Sequence, residues 1–261
     1  MVDAVIFPTI TAGAMLTVAM AFAWYVQRRT GNSGWIDTIW TFATGAAAIV
    51  AIFLGPGEPA RRAMVALLVG CWSVRLGLHI LARTRRTDDD PRYANLLSEW
   101  GEQASIRMFG FLQLQAVAAL VLTVAALLAA SGATPVTSPI FLLACLFAAG
   151  SIVGEGLADA QLTACKRSRP ANGICETGLW ARSRHPNYLF EWLFWVAIAI
   201  MAVLPPFRPA ALLAALAPCM MYYLLRYASG VPHLEAHMAR TRPEAFADYA
   251  RRVPAFFPRL W

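Results

Sequence analysis

Seven apolar runs, each close to the length of about twenty residues that crosses a bilayer, fill most of this 261-residue chain. They are Ala4 to Val26, Gly34 to Leu54, Met64 to Leu81, Phe109 to Ala130, Pro139 to Ala158, Tyr188 to Leu204 and Ala210 to Tyr227. In hydrocarbon every backbone amide and carbonyl must find its partner inside the segment, so runs of this kind fold as helices or close into barrels. Twenty-residue runs without apolar/polar alternation predict helices, and the expected fold is all-α, a polytopic bundle with an interfacial C-terminal tail. Gly31-Asn32-Ser33-Gly34 and Gly55-Pro56-Gly57 bracket the second run, and Pro205-Pro206 separates the last two. With no repeat and no linker, residues 1–261 read as a single domain. The first run lacks a basic leader and is read as a retained helix.

Composition agrees, since 59% of residues are hydrophobic and 14% charged, against about 25% charged in an ordinary soluble domain. The net charge of +7 gathers on alternate loops, with no nucleic-acid motif beside it. Positive residues are retained on the cytoplasmic side, which predicts an outer N-terminus and a cytoplasmic C-terminus. Arg28, Arg29, Arg83, Arg85, Arg86, Arg92, Arg107, Lys166, Arg167, Arg169, Arg182 and Arg184 then lie inside, and the outer loops keep Arg61, Arg62 and Arg208. The five cysteines are scattered, without a C-x-x-C pair, which predicts thiols rather than bridges.

Ionisable groups inside apolar runs cost about 2.5–3.5 kcal/mol each at a helix centre, so each needs a reason. Asp37 starts the second run, and Arg75, His79 and Arg83 recur at helical spacing along the third. If these two helices are antiparallel, Asp37 reaches His79 or Arg83, either as an ion pair joining helices or as the lining of a cavity. In the fifth run Glu155 and Asp159 stand one turn apart, with Lys166 and Arg169 beyond them. No His or Cys completes a ligand set there, so no metal is expected.

The densest constellation precedes the sixth run: Arg182-Ser183-Arg184-His185-Pro186-Asn187-Tyr188, then Glu191. Proline suits the first helical position, where its missing N–H is no loss, so Pro186 opens the helix with His185 at its cap. The free amides and dipole of such an end, with arginines beside it, favour an anion.

This turn, R-H-P-N-Y-x-x-E running into an apolar helix, resembles the C-terminal signature of the steroid 5α-reductase group and its bacterial DUF1295 relatives. Leu76-Gly77-Leu78-His79-Ile80-Leu81-Ala82-Arg83-Thr84 resembles that group's third-helix segment, and Trp35-Ile36-Asp37 falls where it carries an acidic residue. The tail, from Ser229-Gly230-Val231-Pro232-His233-Leu234-Glu235 to Phe246-Ala247-Asp248-Tyr249 with Arg251-Arg252, is similar to the end of those chains, which closes over the cofactor. The likeness is specific over 155–261. It implies a bacterial inner-membrane reductase that uses NADPH on a carbon–carbon double bond conjugated to a carbonyl in an apolar, lipid or steroid-like substrate. Asp37 and His79 would then be catalytic, with a neutral Asp37 or the imidazole of His79 as the donor, because the family's tyrosine falls at Ile80. Asp159, Lys166, Arg169, Arg184, His185, Asn187, Tyr188, Glu191, Tyr249 and Arg252 would hold the cofactor. No G-x-G-x-x-G fingerprint is present, so a Rossmann site is not expected. A looser form of the turn is found in isoprenylcysteine carboxyl methyltransferases, which keeps an S-adenosylmethionine-dependent membrane methyltransferase as the alternative. The bilayer is the one partner implied, with no obligate protein partner.

Overall fold

Proline and glycine punctuate the helices where the chain leaves its apolar runs. A computed structural model describes residues 2–168 and 173–258. Its long helices are α1 (Val2–Thr30), α2 (Gly34–Leu54), α3 (Pro59–Thr84), α5 (Ala104–Ala130), α6 (Pro139–Ser168) and α7 (Pro186–Val203). Shorter ones are α4 (Pro91–Trp100), α8 (Leu216–Tyr223), α9 (Val231–Thr241) and α10 (Pro243–Arg252). No strand occurs among the described residues. Among the described residues seven segments are long and apolar enough to cross a membrane, which makes the chain an integral membrane protein of the expected all-α class. The bounds of α2 are those of the second apolar run.

Several helices extend beyond their apolar runs, and three departures from the hydropathy reading have a clear local reason. Residues 91–100, expected as loop, are helical because Asp90 caps them, its carboxylate accepting from Arg92 N at 3.0 Å, and Pro91 supplies the first position. α6 runs ten residues past Ala158, since its polar end satisfies helical geometry without being apolar. The seventh run is not one α-helix. It opens as a 3-10 helix over Pro209–Ala215, becomes α8 and ends as a π-turn over Leu224–Ala228. Pro218, in the first turn of α8, has no amide proton to give back to the preceding turn.

The helices form two compact units. The first comprises Met1–Cys145 and Ile198–Ala217. In it α1 packs on α2 and α5, α2 on α3 and α5, and α4 on α5. Ala12, Leu16, Met20 and Ala23 of α1 face Ile36, Ala47 and Ala51 of α2 and Met108, Leu112, Ala116 and Ala119 of α5, all buried. Lipid tails are as apolar as these side chains, so close contact rather than transfer from water holds such helices together. A Cβ added to Gly45 would lie 2.2 Å from Ser73 Oγ, and one on Gly77 would lie 2.6 Å from the Phe42 ring. Ser73 Oγ also donates to Thr41 O across the α2–α3 seam at 3.0 Å. The opposite surface of α1 presents Ile6, Phe7, Ile10, Val18 and Phe22, a stripe suited to lipid.

Arg61 is fully buried in this unit. Glu58 caps α3 through Ala60 N and Arg61 N, and the Arg61 side chain turns inward. Its Nε donates to Ala129 O at 2.8 Å, Nη1 to Thr134 O at 2.8 Å and Nη2 to Met201 O at 2.6 Å, with the Phe141 ring 4.5 Å from its Cζ. Ala129 and Met201 lie in the last turns of α5 and α7, whose carbonyls carry the negative end of the helix dipole and help offset the charge.

The second unit comprises Leu146–Ala197 and Pro218–Trp261. It contains most of α6 and α7, the turn between them, and the chain from Pro218 through α9 and α10. Gly154 of α6 lies against the Phe190 ring of α7, where a Cβ would come within 2.5 Å.

Candidate functional site

In the first unit the acidic residue of α2 lies in a network of charges. Asp37 accepts a short hydrogen bond from Arg92 Nη2 and another from the Tyr93 hydroxyl at 2.7 Å. Arg92 also binds Asp90 through Nε at 3.0 Å and Nη2 at 2.8 Å. Arg83 reaches Asp37 at 3.7 Å and Asp90 at 3.3 Å. Gln115 Nε2 donates to Tyr93 Oη at 3.0 Å, and Trp40 Nε1 donates to Gln115 O at 3.0 Å. Two guanidiniums thus face two carboxylates with no excess charge. Burial disfavours the charged form of Asp90, but the bonds and charge of Arg92, with that of Arg83, outweigh it and hold its carboxyl below the ordinary range.

Of the two partners that helical spacing allowed Asp37, Arg83 is in reach, and His79, one turn earlier on α3, is exposed. Either Asp37 or His79 was expected to donate a proton. In this network Asp37 takes hydrogen bonds, and the phenolic proton belongs to Tyr93, which is buried on the first turn of α4. Sequence reasoning passed over Arg92 and Tyr93 because it read their segment as loop. The signal was Asp90-Pro91, a cap followed by a first-turn proline.

In the second unit the basic turn is built against α6. Gly178, at φ +60°, opens a 3-10 turn over Gly178–Ala181. Leu179 N donates to Gln161 Oε1 at 2.9 Å and Trp180 Nε1 to Ala158 O at 2.9 Å. The chain end then straps the turn down. The Tyr249 hydroxyl donates to Trp180 O at 2.6 Å, Ser183 Oγ to Phe256 O at 2.7 Å and Arg184 N to Pro254 O at 2.9 Å. Burial pushes the Tyr249 hydroxyl well above the ordinary tyrosine range, so it remains a donor.

Arg184 is the centre of this strap. Its Nε donates to Glu235 Oε1 at 2.8 Å, and its Nη1 to the carbonyls of Ala250 and Val253. Glu235 also meets His185 Nε2 at 3.1 Å. The His185 ring is 2% exposed and stacks on Tyr188, with centroids 5.6 Å apart and planes at 12°. Burial lowers the His185 pKa; the bond to Glu235 works against it without restoring the ordinary value.

α7 starts at Pro186, as the sequence implied. Asn187 Nδ2 donates to Asp159 Oδ1 of α6 at 3.2 Å. Glu191, one turn further, accepts from Trp195 Nε1 at 3.0 Å. Glu155, Asp159 and Glu191 are all buried within apolar helices.

Of the cations expected to hold phosphate, Lys166 is exposed on the last turn of α6, and Arg169 lies outside the described residues. Arg184 is bound internally, and Arg252 pairs with Glu176 at 2.6 Å and Asp248 at 2.8 Å. Arg167 and Arg182 are also exposed. The strap partner Glu235 received no role from the sequence, where one carboxylate on an amphipathic tail carries no mark of its contact. Among the described residues no group of three or more His, Cys, Asp or Glu could hold a metal.

These features define an integral membrane protein with acidic and amide groups buried inside apolar helices and a basic turn strapped over one helix start. The chain belongs to the family described as "Protein of unknown function (DUF1295)", whose model matches residues 23–253. That is the steroid 5α-reductase-like group that the R-H-P-N-Y turn resembles. A relative, the nickel-cobalt-cadmium resistance protein NccN of Alcaligenes xylosoxydans xylosoxydans, is 37% identical over 92 residues, which is 35% of this chain. The chain spans 39% of that relative's length. No solved structure matches.

Proposed function

We propose that the chain is an NADPH-dependent membrane reductase acting on a carbon–carbon double bond conjugated to a carbonyl in an apolar substrate. The observation that supports this reading most is the Asp159–Asn187 pair with Glu191 one turn beyond, a polar set inside apolar helices at the start of α7. A bundle that needed only to pack would not keep buried carboxylates at such cost. NADPH, when bound, would supply a hydride. Asp159 fixes the amide of Asn187 and leaves its carbonyl oxygen to orient a polar ring substituent, while Tyr188, held flat on His185, offers an aromatic face. Lys166, Arg167 and Arg182 are the exposed cations suited to phosphate. Arg184, Tyr249 and Arg252 serve the site by strapping its turn. In the first unit the Tyr93 hydroxyl donates to Asp37. On this reading the basic residues gathered on alternate loops support a cytoplasmic C-terminus and basic turn.

The internal use of Arg184 and Arg252 favours a second reading, a methyltransferase using S-adenosylmethionine, because that cofactor has no phosphate to hold. Thermal unfolding of detergent-purified protein separates the two. Stabilisation by NADPH, lost in Asn187→Ala and Glu191→Gln, is expected. Stabilisation by S-adenosylmethionine with indifference to NADPH would reverse the choice.

A further inference from the structure

Glu235 fastens α9 to the basic turn and leaves the far side of that helix without a task in the strap. α9 is one continuous α-helix over Val231–Thr241, so residues two apart point about 200° from each other and residues four apart share a face. His233 and His237 stand two residues to either side of Glu235. They are therefore neighbours on the face turned away from the Arg184 contact, separated by about 6 Å along the axis. Both are exposed and lie beyond the last apolar run. Neither imidazole makes a hydrogen bond, ion pair or ring contact among the described residues.

We propose that His233 and His237 form a binding site for one divalent transition-metal ion, which clamps the first turns of α9. Two imidazoles at this helical spacing can both reach one ion at the Zn–N distance of about 2.0–2.1 Å, as the paired histidines of H-E-x-x-H helices do. Imidazole nitrogen selects zinc, nickel or copper over magnesium and calcium, which take oxygen ligands. Among the described residues no third His, Cys, Asp or Glu completes the set, so water fills the remaining positions and the site is open rather than closed. The clamp has work to do on this helix. α9 is eleven residues long and its cap, Gly230, brings no side-chain acceptor, whereas isolated helices shorter than about 12–15 residues are marginal in water. Only the helical form brings the two rings together, so the ion favours that form by mass action. The same helix presents Glu235 to Arg184 and His185, so metal on the outer face steadies the inner contact. The clamp is independent of the cofactor.

The test uses full-length protein in detergent, purified without a polyhistidine tag and freed of metal with EDTA that is then removed. Zinc chloride is titrated by calorimetry, and hydrogen–deuterium exchange is followed in peptides covering residues 231–241. One zinc per chain is expected, and at about 100 times the measured Kd the α9 amides should exchange up to about 100-fold more slowly. Magnesium chloride at the same concentration should neither bind nor slow exchange. His233→Ala and His237→Ala should each remove the zinc effect, judged against that variant's own zinc-free exchange. Absence of zinc binding in the parent, an affinity unchanged in the double variant His233→Ala/His237→Ala, or α9 exchange that stays at its zinc-free rate when zinc is bound would overturn the proposal.

Discussion

Replacing Arg184 by methionine keeps most of the stem and removes the guanidinium that joins the basic turn to the chain end. Glu235 then loses its charged donor, and the carbonyls of Ala250 and Val253 lose theirs. His185 does not compensate, because its lowered pKa leaves it neutral near neutral pH. Removing one partner of a buried ion pair costs about 3–5 kcal/mol. The two side chains are 10% and 21% exposed, so water offsets part of that, and the lower bound of about 3 kcal/mol applies. At about 1.4 kcal/mol per tenfold, the population with the strap detached rises by roughly 10²-fold. Cleavage after Tyr249, which is 2% exposed in the native state, reports that population when opening and closing are fast relative to cutting. Chymotrypsin digestion in mild detergent should release the end of the chain about 10²-fold faster in Arg184→Met than in the parent. Adding Glu235→Gln to that variant should recover part of the loss, since no unpaired charge is then left. Cleavage of Arg184→Met at the parental rate would refute the strap.

Three further outcomes follow from single contacts. Gly178→Ala forces a side chain into φ +60° with its Cβ 2.6 Å from Gln161 Oε1, and should cost about 1–2 kcal/mol, read as a lowered melting temperature. Tyr93→Phe leaves Asp37 and Gln115 each short of one partner and should cost about 1–3 kcal/mol by the same measurement; an unchanged melting point would remove Tyr93 from the network. His185 sets a pH response: its folded pKa lies below the ordinary value of 6.5, so the unfolded chain takes up the proton first on acidification. Its contribution to stability is complete above pH 6.5 and is lost as pH falls from there through the lower folded value; a pH series should show this component in the parent and not in His185→Gln.

Hydropathy read the bilayer-crossing core of each helix well and the ends poorly, because the ends are held by caps and polar bonds. The limits of α2 and the start of α7 were legible where glycine or proline marked them. α4 was not, because its ten residues are too few and too polar to register, although Asp90-Pro91 announces it. The arginines were the least legible. A guanidinium placed for phosphate and one placed for a helix-end carbonyl have the same spelling. Arg61 was read only as an outer-loop residue, and Arg184 as a cofactor ligand. Both are tied to carbonyls that come from distant parts of the sequence.

Arg61 has a consequence for how the chain is made. Its three acceptors are residues 129, 134 and 201, so when α3 first enters the bilayer none of them has been synthesised. Until α7 is inserted, the nascent chain carries a cation with an incomplete cradle, and α3 cannot take its final depth earlier than that. Truncations ending before residue 201 should accordingly be recognised and degraded by membrane quality control, even though every earlier helix is intact.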